Sequence, residues 1–131
     1  VPPVDIEVAI MRDPLFEQVL LIGEGKPYLS AIAVLKQEEW EKMAAALGVD
    51  SQAEEALGAE SVLHRALERV GAQMREFPGY AQVRRITLTL EPWTMDNGLL
   101  TPTMKLKRAK VMEKFYAELD AMYSGHSGRG L

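Results

Sequence analysis

The sequence predicts a small α+β domain in which a short mixed sheet, made of a hairpin and a later strand, is covered by helices. Two apolar runs around a glycine-rich turn predict the hairpin, and strict alternation near residue 87 predicts the later strand. Apolar residues at helical spacing precede, separate and follow these strands. With 131 residues, of which 47% are hydrophobic, the chain can bury a core as one domain. We find no internal repeat and no internal domain boundary.

The first predicted helix begins at a pair of prolines, because proline lacks the N–H that would have no partner in a first turn. Its apolar positions are Ile6, Ala9 and Ile10. The acids Asp5 and Glu7 are expected near the positive end of the helix dipole. An Asp-Pro pair at residues 13 and 14 ends this helix.

The stretch "EQVLLIGEGKPYLSAIAVL" predicts two strands joined by a turn at Gly23, Gly25 and Pro27. Nearly every position of both runs is apolar, so we expect the hairpin to be buried on both faces. The turn contains a lysine between glycine and proline, but it does not precede a helix. It is therefore a weak candidate for phosphate contact.

Three helical segments are predicted after the hairpin. "QEEWEKMAAALGV" predicts a helix that ends at Gly48, and Ser51 with Glu54 predicts a capping box for a short helix that reaches Leu57. "ESVLHRALERVGAQMREF" predicts the clearest amphipathic helix, which a Pro-Gly pair at residues 78 and 79 ends. The apolar stripe of this helix consists of Leu63, Ala66, Leu67, Val70, Met74 and Phe77.

The later strand and the last helix complete the predicted fold. "QVRRITLTLEPW" predicts a half-buried strand with Ile86, Leu88 and Leu90 on one side. Asn97-Gly98 predicts a tight turn, and the last helix begins after a basic stretch. The apolar face of that helix consists of Val111, Met112, Phe115, Leu119 and Met122. Residues 124–131 predict a flexible tail.

The composition argues against several classes of function. The net charge of −4 argues against nucleic acid as the main partner. The absence of cysteine excludes a disulfide scaffold and a thiolate metal site, and it fits a cytoplasmic location. No Asp, Glu or His spacing predicts a metal site. The two histidines, His64 and His126, have no partners placed by sequence, so we do not expect a histidine-centred active site.

The basic stretch is the strongest candidate for a site. Lys105, Lys107, Arg108 and Lys110 crowd the start of the last helix, where the helix dipole favours anions rather than cations. Lysines beside helix-start N–H groups suit a phosphate or carboxylate ligand. The residues alone also allow a solvated basic turn, a weak nucleic-acid patch, or a stand-alone interaction module with an anion-binding basic loop.

Three stretches resemble a known family, and the middle one is "RDPLFEQVLLIGEGKPYLSAIAVL". "NGLLTPTMKLKRAKVMEKFYAELDAMY" resembles the C-terminal signature of acyl-CoA synthetases, which belong to the adenylate-forming superfamily, and "LTPTMKLKR" is most similar to the long-chain fatty-acid branch. The wider superfamily has a glycine just before the catalytic lysine, where this chain and the long-chain branch have another residue, here Met104. "VPPVDIE" is similar to the close of the hinge motif that opens the C-terminal domain. The likeness runs from residue 1 to about residue 123.

The resemblance implies an ATP-dependent long-chain fatty-acid–CoA ligase and a fold like that of the C-terminal domain of adenylate-forming enzymes. In such a ligase the acid and ATP form an acyl-adenylate and pyrophosphate, and coenzyme A then gives the thioester and AMP. Motif position implies that Lys105 is the catalytic lysine of the first step. It also implies substrate-binding support from Thr101 and Thr103, which order the loop, and from Lys107 and Arg108, which hold it or steer the substrate.

The resemblance further implies that this chain is one part of a two-domain enzyme. Residues 1–123 match the mobile C-terminal domain, and the large N-terminal domain, which binds ATP, Mg²⁺ and the acid, is absent. Because the chain starts at Val1 and not at methionine, we expect a piece of a longer protein that alone catalyses nothing and holds no cofactor. The expected partners are the N-terminal domain in cis, with fatty acid, ATP and coenzyme A as substrates. Any peripheral membrane association is expected of the full-length, cytoplasmic enzyme only.

Overall fold

The computed structural model describes residues 2–77, 79 and 82–124. The chain divides into two compact units, of which the first ends at Glu91 and the second begins at Pro92. No glycine- or serine-rich linker marks this point in the sequence, which is why the sequence analysis found no boundary there.

The first unit is built around a three-stranded sheet. Its elements in chain order are α1 (Pro3–Ile10), β1 (Phe16–Ile22), β2 (Leu29–Leu35), α2 (Gln37–Leu47), a 3-10 turn (Ala56–Gly58), α3 (Glu60–Met74) and β3 (Val83–Thr89). The central strand, β2, pairs antiparallel with β1 and parallel with β3. The predicted α+β class, with a small mixed sheet made of a hairpin and a later strand, is confirmed.

The hairpin of β1 and β2 is buried on both faces, as its apolar runs predict. On one face, Val19, Leu21 and Ala31 join the main core together with residues of α1, α2 and α3. The residues on the opposite face are also buried, and they are Leu20, Ile22, Ile32 and Val34. In β3, the predicted alternation is confirmed, because Ile86 and Leu88 lie in the core.

Helix α1 protects the edge of the sheet through Glu7. This side chain is only 3% exposed, and its Oε2 accepts a 2.7 Å hydrogen bond from the backbone N of Leu21 in the edge strand β1. Of the two acids expected near the positive end of the helix dipole, Asp5 is the one that lies in the first turn, where a negative charge interacts favourably with that end. A buried carboxylate on the edge of a sheet occupies a backbone N–H that would otherwise need another partner.

The segment after α2 differs from the prediction. Gly48 ends α2 as expected, with a left-handed φ of 70°. The capping box predicted at Ser51 and Glu54 is wrong, because the segment forms only a 3-10 turn without a side-chain cap. Asp50 orders this segment instead, since its Oδ1 accepts a 2.9 Å hydrogen bond from the backbone N of Gln52.

Helix α3 packs on the core but ends earlier than predicted. Ala66 and Met74 are buried, and so is Val62, which the predicted stripe left out. The helix ends at Met74, and Phe77 packs against the core from beyond its end. The proline of the predicted Pro-Gly stop lies outside the described residues.

An ion pair ties the segment after α1 to α3. Arg69 donates from Nε to Asp13 Oδ2 at 2.9 Å and from Nη2 to Asp13 Oδ1 at 2.6 Å. The backbone N of Leu15 donates to the same Oδ1 at 2.9 Å. Burial alone would raise the pKa of Asp13, but the hydrogen bonds from Arg69 and Leu15, with the guanidinium charge, hold that pKa below its ordinary value. The hydrogen bonds to Asp13 also raise the pKa of Arg69.

The second unit contains the helices α4 (Arg108–Lys114) and α5 (Tyr116–Tyr123). The sequence predicts one helix here, whereas Phe115, with φ −101° and ψ 27°, separates two helices. The ring of Trp93 packs edge-on to that of Phe115, with 6.4 Å between centroids. Most of the predicted apolar face is buried, namely Val111, Phe115, Leu119 and Met122. Within the described ranges, no helix has the length and apolar content needed to cross a bilayer.

Candidate functional site

The predicted site residues lie mainly on a short β-hairpin that precedes α4. Leu100 and Leu106 form an antiparallel bridge, and backbone hydrogen bonds of 2.8 and 2.9 Å flank it on either side. We name residues 99–107 the basic hairpin. The sequence predicts Lys105 at the start of the last helix, but this residue lies in the second arm of the hairpin, before α4 begins.

The turn of the basic hairpin has the hydrogen bonds of a three-residue loop. The backbone N of Met104 donates to Thr101 O at 2.8 Å, and the backbone N of Thr101 donates to Lys105 O at 2.8 Å. Met104 has a φ of 67° and is the one non-glycine residue with positive φ in the described part of the chain. Such loops combine a β-turn with a following left-handed residue, which is usually glycine. Pro102 occupies the turn position that proline favours, because its ring presets φ.

Thr101 holds the backbone of Lys105 from two sides. Its Oγ1 accepts a 3.1 Å hydrogen bond from Lys105 N, while its own backbone N donates to Lys105 O. The same Oγ1 lies 3.2 Å from Thr103 Oγ1. These bonds fix the backbone at Lys105, so that the freedom left to this residue lies in its side chain.

The side chain of Lys105 is exposed to solvent. Among the residues that the structure describes, none forms an ion pair with its ammonium group. Lys107 is also exposed, whereas Arg108 is half-buried and engaged with another group. Lys110 lies in the first turn of α4, and its Nζ is 3.9 Å from the carboxylate of Glu113. The basic hairpin therefore presents an available ammonium group on an ordered backbone.

The segment before the basic hairpin is closed by the predicted Asn97-Gly98 turn. Gly98 has a φ of 80°, and its backbone N donates to Met95 O at 3.0 Å. Thr94 N donates to Asn97 Oδ1 at 2.9 Å, and Asn97 N donates to Thr94 Oγ1 at 3.0 Å. The two leucines that follow are buried, so the first arm of the basic hairpin is anchored.

The other groups considered from sequence are not part of this site. His64 is exposed on α3, with its Nε2 3.5 Å from Glu68 Oε2. His126 lies outside the described residues. Within the described ranges, no group of three or more His, Asp or Glu side chains could hold a metal ion.

The left-handed backbone conformation of Met104 was not predicted from the sequence. One signal was available, namely the glycine that the wider superfamily has at this position. Glycine is the residue that adopts a left-handed conformation without steric cost, so its use there indicates a positive φ. The side chain of Met104 is 64% exposed.

Known proteins are similar to this chain in sequence and in fold. The model of the family described as AMP-binding enzyme C-terminal domain matches residues 1–127. Long-chain-fatty-acid–CoA ligase 1 of Homo sapiens is 36% identical over 128 residues, which cover 95% of this chain and 18% of that protein. A long-chain-fatty-acid–[acyl-carrier-protein] ligase of Arabidopsis thaliana is 34% identical over 125 residues, which cover 95% of this chain and 15% of that protein.

A solved structure is also similar to this chain in fold. The A-PCP didomain of a carboxylic acid reductase from Segniliparus rugosus, in complex with AMP, superposes with a TM-score of 0.74 at 25% sequence identity. The superposition covers 95% of this chain and 16% of that one. The chain thus spans less than a fifth of the length of each of these three relatives.

Proposed function

The chain belongs to the AMP-binding enzyme C-terminal domain family, and from this premise we propose that residues 1–123 are the mobile C-terminal domain of an ATP-dependent long-chain fatty-acid–CoA ligase. The curated relatives are acyl-CoA and acyl-carrier-protein ligases, which supports ligase chemistry. In this proposal the chain supplies the lysine of the adenylation step, Lys105, to a site held on a larger N-terminal domain in cis.

One observation carries the proposal: Lys105 presents a solvent-exposed ammonium on a backbone that Thr101 fixes. Adenylation brings a carboxylate up to an α-phosphate, so two anions must approach each other. A lysine ammonium is a compact cation with three donors, and it can contact oxygens of both groups. It would thereby orient the acid and stabilise the negative charge of the transition state.

The neighbours of Lys105 have supporting roles in the proposal. Thr101 fixes the lysine backbone, and Thr103 extends this hydroxyl contact toward the tip of the turn. Lys107 and Arg108 add positive charge beside Lys105, which would attract phosphate and carboxylate groups. Because these cations sit on an ordered segment, they would move into and out of the site with the whole domain.

The substrates follow from the same proposal. ATP, coenzyme A and a long-chain fatty acid would be used by the full-length enzyme. The described residues contain no group suited to a metal ion, so the proposal assigns Mg²⁺ to the larger domain. The proposal includes a cytoplasmic location, which the absence of cysteine from this chain fits, and any membrane contact would be made by the full-length protein.

The test is Lys105→Ala in the full-length enzyme, with the two half-reactions measured separately. We expect adenylate formation, followed as fatty-acid-dependent exchange of pyrophosphate into ATP, to fall about 100- to 1,000-fold, because the transition state loses a charged donor. Thioester formation from supplied acyl-adenylate and coenzyme A should largely remain. An equal loss of both half-reactions would contradict the assigned role.

Lys42→Ala is the matched control, because Lys42 is an exposed lysine of α2, outside the basic stretch, whose Nζ lies near Glu39. It should leave the rates of both half-reactions nearly unchanged. The control thereby distinguishes the loss of a lysine at position 105 from the loss of one positive charge elsewhere in the chain. If Lys105→Ala also changes neither half-reaction, the proposal is wrong and the alternative, an interaction module with an anion-binding loop, is favoured. Repeating the thioester step with acyl carrier protein in place of coenzyme A tests the choice of acceptor.

A further inference from the structure

Met104 combines two unfavourable features next to Lys105. Its backbone is left-handed, with a φ of 67°, and its side chain is 64% exposed. A left-handed conformation disfavours residues that carry a Cβ, and glycine would adopt it freely. An exposed methionine gains little from packing within its own chain. Neither feature is explained by the contacts of the described residues.

The position of Met104 ties it to the movement of Lys105. Hydrogen bonds from Met104 N to Thr101 O and between Thr101 and Lys105 hold the two neighbours on one ordered turn. Because Met104 directly precedes Lys105 on this turn, a surface that receives the ammonium of Lys105 lies close enough for the exposed side chain of Met104 to contact it. The two residues before Met104 in this turn, Pro102 and Thr103, are exposed and uncharged, so the tip of the basic hairpin can be desolvated without burying a charge.

We infer that Met104 is a positioning residue whose side chain packs on an apolar surface of the larger N-terminal domain and thereby seats Lys105 for adenylation. This inference rests on the function proposed above. The contact would form only in the adenylation arrangement, and it would offset the cost of the left-handed backbone there. Methionine suits the role, because its unbranched side chain adapts to irregular apolar surfaces.

The larger N-terminal domain is a better contact partner for the side chain of Met104 than the acyl chain of the substrate is. This chain spans only 15% to 18% of the length of the curated relatives, so most of such an enzyme lies outside it and offers a surface to meet the hairpin tip. A contact with the acyl chain would vary with the number of carbons in the substrate. A contact with the protein would be the same for every acid.

The experiment uses three substitutions of Met104 in the full-length enzyme. Met104→Gly suits the backbone but removes the side chain. Met104→Asn tolerates the left-handed conformation and replaces the apolar side chain by a polar one. Met104→Leu keeps an apolar side chain of similar volume. Each variant is assayed for pyrophosphate exchange with fatty acids of several lengths and for thioester formation from supplied acyl-adenylate.

We expect Met104→Gly and Met104→Asn to lower kcat/KM for adenylation about tenfold, as expected for the loss of one buried apolar side chain. The loss should be equal for all acids tested, and thioester formation should be unchanged, which a general folding defect would not produce. Met104→Leu should stay within about threefold of wild type. Met95→Ser, at another exposed methionine of the same unit, is the control and should change neither half-reaction.

Full adenylation activity of Met104→Gly and Met104→Asn would overturn the inference. So would a loss that grows with acyl length, which would assign Met104 to the substrate, and so would a loss in Met104→Leu as large as that in Met104→Asn. Lys105→Ala, assayed in parallel, separates the two proposals. If that variant loses adenylation while the Met104 variants do not, only the role of Met104 fails.

Discussion

At the scale of the residue, the left-handed backbone of Met104 predicts a gain in stability from Met104→Gly. The left-handed conformation costs about 1–2 kcal/mol for a residue with a Cβ, and the flexibility that glycine adds to the unfolded chain costs about 0.5–1 kcal/mol. We therefore expect the free energy of unfolding of the chain to rise by about 0.5–1 kcal/mol in this variant, as measured by urea unfolding.

Gly98→Ala is the control, because it should change the free energy of unfolding in the opposite direction. Gly98 has a φ of 80°, and a Cβ added there meets no atom within 4 Å, so backbone strain is the main effect. We expect this substitution to lower the free energy of unfolding by about 1 kcal/mol. A loss of stability in Met104→Gly would show that the methionine side chain contributes contacts within the chain itself.

The sequence singled out the proposed functional residue, Lys105, more readily than it predicted the structure around that residue. Lys105 stands out because a motif and a local excess of positive charge coincide there. The carboxylate of Glu7 was not predicted to be buried, because its partner is a backbone N–H of β1. Every residue type except proline has a backbone N–H, so the order of side chains along the sequence does not identify such a partner. The turn conformation at Met104 was missed for a different reason, because methionine is rarely left-handed and nothing in its own identity indicates a positive φ.

At the scale of the element, the pairing of Asp13 with Arg69 predicts that Arg69→Met destabilises the first unit. The Asp13 side chain is only 10% exposed, so removal of the guanidinium would leave a nearly buried carboxylate without its charged partner. We expect a loss of about 2–3 kcal/mol in the free energy of unfolding. Arg12→Met is the matched control, because the Arg12–Glu76 pair is exposed. Its loss should be below about 1 kcal/mol, and equal losses in both variants would contradict the argument.

The same pair predicts how that difference depends on pH. The pKa of Asp13 in the folded protein is below its ordinary value of 3.8, so the pair stabilises the fold fully above that value. The stability gap between wild type and Arg69→Met should therefore be complete at pH 7 and shrink as pH falls below about 4, through the folded pKa of Asp13. Urea unfolding of both proteins at pH 7 and pH 3 checks this, and an unchanged gap would be inconsistent with it.

Helices and strands were predictable where the apolar pattern was long, whereas several of their ends were not. Helices α2 and α3 follow from several turns of apolar spacing, β3 follows from strict alternation, and the hairpin follows from two apolar runs around a glycine-rich turn. The break at Phe115 was missed, because the apolar spacing from Val111 to Leu119 continues through it. The Ser51–Glu54 pair has the spacing of a capping box, but the segment lacks the apolar repeat needed to extend a helix, so a 3-10 turn results.

At the scale of the whole molecule, the proposed function predicts that the chain alone is inactive. Adenylation requires ATP and the acid to be held together, and the proposal assigns both binding sites to the larger domain. Incubated with ATP, Mg²⁺ and a long-chain fatty acid, the 131-residue chain should therefore release no pyrophosphate. The full-length enzyme is the positive control, and fatty-acid-dependent release by the chain alone would refute the prediction.

The parallel pairing of β2 with β3 has a consequence for biosynthesis. Its partners, such as Ala31 and Ile86, are separated by α2 and α3 in the chain, whereas a short turn joins β1 to β2. The hairpin can therefore form while the ribosome is still synthesising the helices. One edge of β2 then stays unpaired until β3 has been synthesised. Nascent chains halted between these two strands would be the species most prone to associate with one another.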